Sequence, residues 1–259
     1  MLLTILGSGS GGNAAVIQKG EHSILVDIGF SYRELSRRLR LCGISPESIS
    51  SVFITHEHFD HIRGMKEFSR KHSVSIYVSE GTYENLFDEV KEVVKGKVGS
   101  FKTGENIELN GMSVKTFPVL HDAADPAGFT FSSGCKKIGY VTDIGSITDT
   151  VVSCLEMSSL IVLEANHDID MLWNGSYPEY LKQRISGPHG HLSNDNALEL
   201  LQCVMCKELR GIYLAHLSKE NNRPELAFQT VYKPLAGKYN YVPKILIAKQ
   251  DTAAEPYRL

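Results

Sequence analysis

Where the apolar run SVFIT (51–55) ends, four metal-competent side chains crowd into six residues: His56, His58, Asp60 and His61 in ITHEHFDHIRG. A strand alternates its side chains between two faces, so His56 and His58 point the same way, while Asp60 and His61 occupy the turn into a following helix. Imidazole and carboxylate are ligands that suit zinc, manganese or iron. Three imidazoles at the end of an apolar strand are costly to bury without a partner. The H-x-H-x-D-H spacing therefore constrains the chain more than any other feature.

The opening MLLTILGSGSGGNAAVIQKGEHSILVDIGF offers a competing reading. Gly7-Ser-Gly9-Ser-Gly11-Gly12 fits G-x-G-x-x-G, and Asp27 follows at a distance suited to a ribose-binding acid. A dinucleotide site needs a strand and then a helix whose N-terminus faces the pyrophosphate. After Asn13 the chain instead reads AAVIQ and SILVD, two short β-branched runs about a glycine-containing turn. With no helical period, the glycines read as a strand-to-strand turn.

The chain has 259 residues, of which 42% are apolar and 22% charged, an ordinary globular composition with room for a sizeable core. Met1 leads almost at once into a strand, and nowhere do 18 apolar residues run together, so neither a secretory signal nor a membrane span is expected. Five cysteines, an odd number, suit reduced thiols in a cytoplasm. Cys203-x-x-Cys206 stands alone on a helical pattern and reads as packing sulfur. A net charge of −3 weakens non-specific nucleic-acid coating but leaves room for a local basic surface. Arg33, Arg37, Arg38 and Arg40 lie on an amphipathic helix and read as its solvated face.

The pattern predicts strands at 2–6, 14–18, 23–27, 51–55, 75–79, 106–109, 112–118, 128–132, 137–141, 159–165, 211–217 and 242–248. Helices are expected over 31–42, 64–72, 80–95 and 177–185, from Ser193/Asn194 with Leu198, Leu201 and Met205 inward, and from Pro224. Two strand-rich halves with appended helices make an α+β sheet-on-sheet sandwich, and no linker or repeat divides 1–259, which reads as a single domain.

The ITHEHFDHIRG segment resembles the signature of the metallo-β-lactamase superfamily, implying a four-layer αββα sandwich and two metal ions. In that family the first two His serve one metal, and the Asp and third His the other. The resemblance implies three further ligands at strand ends: His121 in FPVLHDAADPAG, Asp143 in KIGYVTDIG as the bridge, and His216 in IYLAHLSKENN. Alone, each of these three would read as an ordinary hydrogen-bonded loop residue. The glycine-rich turn then lies beside the metal pocket, and Asp27 braces a ligand imidazole. Ser10 and Asn13 either touch substrate or serve the turn.

A water held between two divalent ions about 3.5–4 Å apart loses its proton near neutrality, so hydrolysis by a metal-bridging hydroxide is the implied reaction. Segments VLEANHD, GPHGHLSNDNA and LAHLSKENNRPE resemble those of the tRNA 3′-processing branch. There a His paired with a Glu protonates the leaving oxygen. Position by position this nominates His191 as general acid and Glu164 as its partner, with Asp60 the third candidate catalytic residue. One departure is Asn166-His167, where that branch has Thr. His167, His189 and Ser218 are candidate substrate contacts, and Arg63 reads equally as a phosphate contact or a surface ion pair.

The interval from His121 to Asp143 is too short for the tRNA-gripping arm, and that from Asp143 to His216 too short for the domain inserted in β-CASP nucleases. The whole chain resembles the YycJ (WalJ) family of bacterial metallo-hydrolases. That implies a zinc- or manganese-dependent phosphodiesterase, iron being chemically tolerable, with DNA exonuclease activity the favoured assignment. The competing readings are a small-molecule phosphodiesterase or acyl-ester hydrolase, and a metal-bearing signalling protein without catalysis.

Overall fold

The computed structural model describes all 259 residues. They form two compact units, Met1–Glu105 with Ala123–Ala127 and Lys249–Leu259, and Asn106–Asp122 with Gly128–Ala248. No helix is long and apolar enough to cross a membrane.

In the first unit β1 (Leu2–Gly7), β2 (Ala14–Lys19) and β3 (His22–Val26) make an antiparallel meander. The glycine-rich stretch is the β1–β2 turn, as the absence of helical periodicity predicts. After α1 (Tyr32–Leu41) comes β4 (Ile49–Phe53), parallel to β3. Next are α2 (Phe59–Ile62), α3 (Met65–Lys71), β5 (Ser75–Ser79), α4 (Glu80–Asn85), α5 (Asp88–Val94) and β6 (Val98–Phe101). The short strand Tyr257–Arg258 pairs with β1, completing a seven-stranded sheet in which β3 to β6 run parallel. Leu35 and Leu39, one turn apart on α1, join Leu25, Val52, Ile76, Met65 and Phe68 in its core.

Two expectations fail here. The helix expected over 80–95 is broken, because Leu86 and Phe87 are extended and Leu86 is drawn into the core while Phe87 stays outside. Arg38 does not lie on a solvated face. It is only 7% exposed, 4.0 Å above the Phe30 ring, and donates from Nη1 to the carbonyls of Leu6 and Gln250, each at 2.7 Å. A buried guanidinium persists because those acceptors and Glu34 replace water.

In the second unit β7 (Asn106–Leu109) and β8 (Met112–Pro118) form a hairpin whose Asn110-Gly111 turn has positive φ at both residues, 51° and 74°. Next come β9 (Ala127–Ser133), β10 (Lys136–Val141), α6 (Asp149–Leu155), β11 (Leu160–Glu164), α7 (Ile169–Asn174) and α8 (Glu179–Ser186). The chain continues through α9 (Asn194–Val204), β12 (Gly211–Ala215), α10 (Pro224–Lys238) and β13 (Lys244–Ile247). The sheet order is β13-β12-β11-β10-β9-β8-β7, with β10 to β13 parallel. Parallel strands are covered on both faces, which accounts for every residue of β11 and β12 being buried. On α9 the fully buried stripe is Ala197, Leu200, Leu201 and Val204, and Leu198 and Met205, the latter at the C-cap, are partly buried against the same core, so all three residues expected inward pack there.

Candidate metal centre

Val26 and Phe53 are partners at the ends of β3 and β4, so Asp27 and the Thr55–His56 pair leave the sheet side by side. Asp27 turns with φ 60°, a conformation that Asp tolerates better than most residues. Its buried carboxylate accepts from the Thr55 amide at 2.8 Å and meets His61 Nδ1 at 2.8 Å. Burial pushes the Asp27 carboxyl above the usual carboxylate range, and His61 and Thr55 pull back only part of that rise. Accepting a hydrogen bond from Nδ1–H leaves the lone pair on His61 Nε2, the tautomer a metal requires. Thr55 Oγ1 lies 3.0 Å from Nδ1 of both His56 and His61.

The ring of His56 is 4.5 Å from that of His58 and 4.1 Å from that of His61, and Asp60 Oδ2 approaches His61 Nε2 to 3.5 Å. Gly29 clasps this loop. A Cβ there would lie 1.7 Å from the Asp60 carbonyl oxygen and 2.4 Å from Asn13 N. Asn13 is fully buried, and its amide nitrogen sits 3.0 Å from His61 Nε2 and 3.3 Å from Asp60 Oδ2. Ser10 is exposed on the turn.

The second unit gathers its own set at the carboxyl ends of adjacent parallel strands, where α/β sheets commonly place ligands. Asp143 follows β10, Glu164 ends β11 and His216 follows β12. Asp143 and His216 both have positive φ, 55° and 54°; such strain persists where surrounding structure fixes it, often at functional sites. Donor atoms of Asp143, Glu164, His191 and His216 all lie within 4.8 Å of one another. His216 Nδ1 is 2.9 Å from Asp143 Oδ2, and His191 Nδ1 is 2.7 Å from Glu164 Oε1. His121 Nε2 lies 4.0 Å from Asp143 Oδ1, while its Nδ1 is 3.0 Å from the Gly190 carbonyl.

Burial alone would lower the His191 imidazole. The charge and hydrogen bond of Glu164, with Asp143 and Asp122, outweigh it and raise His191 to about 9. His216 is likewise raised, burial being overcome by Asp143, whereas burial dominates at His121 and lowers it. The carboxylate of Asp143 with the imidazoles of His121 and His216 forms a donor set that fits a divalent cation such as zinc, manganese or iron, and the imidazoles and Asp60 of the first unit are donors of the same kind, while Glu164 and His191 pair with each other.

Of the remaining candidates, His189 is exposed and stands outside the set. His167 is buried, its Nδ1 has no hydrogen-bond partner, and burial lowers it to about 4 against the pull of Glu164. Ser218 Oγ accepts from Asn221 N at 3.1 Å, a turn contact.

Sequence reasoning passed over an asparagine brace. Asn166 Nδ2 donates to the His216 carbonyl at 3.0 Å, while Asn222 Nδ2 donates to Ala165 O at 2.9 Å and to Asn194 Oδ1 at 2.9 Å. The clustered asparagines of HLSNDNA and SKENNR were its only signal. Asp122 was also missed; it binds Arg184 Nε at 2.6 Å and lies 3.2 Å from His121 Nε2.

A family model described as Beta-lactamase superfamily domain matches residues 22–216. Exodeoxyribonuclease WalJ of Streptococcus pneumoniae serotype 2 (strain D39) is 36% identical over 238 residues, 90% of this chain and 87% of the relative. Exodeoxyribonuclease YycJ of Bacillus anthracis is 32% identical over 235 residues, 91% and 89% of the two chains. The metallo-beta-lactamase fold protein YhfI from Bacillus subtilis aligns over 99% of both chains with a TM-score of 0.73 and 16% identity, a likeness of fold. The α+β class is found, and the fold is that of the family the sequence resembles.

Proposed function

Because the chain belongs to the metallo-β-lactamase superfamily, we propose that it is a metal-dependent phosphodiesterase that shortens DNA from an end, as the names of its exodeoxyribonuclease relatives suggest. The observation that supports this most is the His191–Glu164 pair at 2.7 Å, set within 4.8 Å of the donor atoms of Asp143 and His216. It couples a candidate proton donor to a candidate metal site.

In this reading all of 1–259 acts as one hydrolase domain with a dinuclear centre. His56, His58 and His121 would hold one ion and Asp60, His61 and His216 the other, with Asp143 shared between them. Zinc or manganese, when bound there, would supply the Lewis acidity that lowers the pKa of an attacking water and neutralises charge on a phosphate. Asp27 and Thr55 hold the rings of His61 and His56 in place. Asp60, partly exposed and 3.5 Å from His61 Nε2, would act as a catalytic carboxylate beside the ion it holds with His61. Glu164 anchors Nδ1 of His191, which leaves Nε2 to deliver a proton to the departing 3′ or 5′ oxygen. The same carboxylate accepts from the amides of Ile144 at 2.9 Å and Leu192 at 3.2 Å, so the pair is fixed at both ends. Ser10, Asn13, His167, His189 and Ser218 would be the substrate contacts. The five free cysteines support a reducing, cytoplasmic setting.

The test is incubation of zinc- or manganese-loaded protein with end-labelled DNA and with a chromogenic phosphodiester. Stepwise loss of nucleotides from one end is expected. Cleavage of the chromogenic compound alone would indicate a small-molecule phosphodiesterase, and cleavage of neither substrate would overturn the proposal.

A further inference from the structure

A groove of about 190 Å³ opens in the first unit, lined by Phe59, Ile62, Arg63, Lys66, Phe87 and Val90, with Glu89 at its edge. Its floor is apolar, since Ile62 and Val90 are buried, yet its two phenylalanines face outward at 59% and 56% exposure. Two exposed aromatic rings in one small groove are not what core packing requires. The cations are arranged unequally. Lys66 Nζ pairs with Glu89, whereas Arg63 has no carboxylate partner and lies 5.4 Å above the Phe59 ring. Phe59 stands between His58 and Asp60, so the groove begins one residue from the proposed metal ligands.

We propose that this groove receives an unpaired nucleobase at the end of the DNA strand, stacked against Phe87 and Phe59, with Arg63 on the adjoining phosphate. Aromatic faces beside a positively charged track are how single strands are held without regard to sequence. The Arg63 guanidinium supplies both a charge and a plane for stacking. A base within a duplex is covered on both faces and held by its partner, and a terminal pair offers only its outer face, so a frayed or single-stranded end is the form whose base is free to enter the groove. The inference rests on the phosphodiesterase reading above and adds to it the form of substrate end that is gripped.

The experiment is fluorescence anisotropy with metal-loaded full-length protein and a labelled phosphorothioate strand, compared with a strand whose terminal nucleotides are abasic. Phe87→Ala should weaken binding of the base-bearing strand about tenfold, Phe87→Trp should retain it, and the abasic strand should bind the wild type and Phe87→Ala alike. Melting curves of the variants show whether they are folded. Equal binding of the base-bearing strand by wild type and Phe87→Ala would overturn the proposal. So would an equal loss for both strands, which would mean that Phe87 acts on something other than a base. Cleavage of end-labelled DNA by the wild type is measured in parallel. If it cleaves while Phe87→Ala changes nothing, the groove assignment alone falls; if it neither binds nor cleaves DNA, the nuclease reading falls too.

Discussion

Glu164 Oε1 lies 2.7 Å from Nδ1 of His191, and its other oxygen is tied to the amides of Ile144 and Leu192. Glu164 is fully buried whereas the His191 side chain is 21% exposed, so the carboxylate is fixed and the imidazole reaches outward from it. That asymmetry suits an orienting carboxylate and a proton-donating ring.

His191→Ala should lower kcat on DNA by about 10²–10⁴-fold while bound metal is retained. The loss should be far smaller with a p-nitrophenyl phosphodiester, whose leaving group departs without a proton. Glu164→Gln removes the charge that raises His191 to about 9, so the proton donor is lost at a lower pH and the basic limb of the kcat profile moves down. Equal loss on both substrates would show that His191 does not protonate the leaving oxygen.

Asp27→Asn isolates the bracing of His61. Asn tolerates the positive φ at this position at least as well as Asp, so the backbone is kept while the charged acceptor for His61 Nδ1 is lost. Metal affinity should fall by about 10–100-fold, read by competition with a chromogenic chelator. Unchanged affinity would mean that the imidazole is held without Asp27.

Glu34 sets an acid limit on the first unit. Its hydrogen bonds to Arg37, and the charge and bonds of Arg38, hold the carboxyl at about 2, below its ordinary 4.5, with burial opposing. A carboxylate depressed in the folded state contributes stability above its unfolded pKa and loses it as pH falls through the folded value. The difference in urea stability between wild type and Glu34→Gln should be constant near neutrality and shrink between pH 4.5 and about 2. Glu34 is one-third exposed, so salt should reduce the effect. A pH-independent difference would contradict this.

Much of this architecture is legible along the chain because the chemistry sits where periodic segments stop. SVFIT runs into His56, KIGYV into Asp143 and GIYLA into His216, and an apolar run that ends in a ligand marks the carboxyl end of a strand. The G-x-G-x-x-G stretch reads correctly as a turn because the residues after Asn13 form β-branched runs with no helical period. The features that escape reading depend on distant partners. Arg38 looks like one of four helix-surface arginines, and acceptors remote in sequence, the carbonyls of Leu6 and of Gln250, 212 residues away, help to make its burial tolerable. Thr55 carries no periodic signal, yet its hydroxyl touches Asp27, His56 and His61. The break at Leu86–Phe87 has no proline or glycine to announce it, since it arises from competition between core burial and helix continuation.

The central claim is that Asp143 and its surrounding histidines hold divalent cations used in catalysis, and elemental analysis of purified wild type against Asp143→Asn tests it most directly. The account predicts two equivalents of zinc or manganese in the wild type, loss of at least one in Asp143→Asn, and loss of DNA cleavage with it. Full metal content and full cleavage in the variant, or a wild type that takes up no divalent ion, would contradict it.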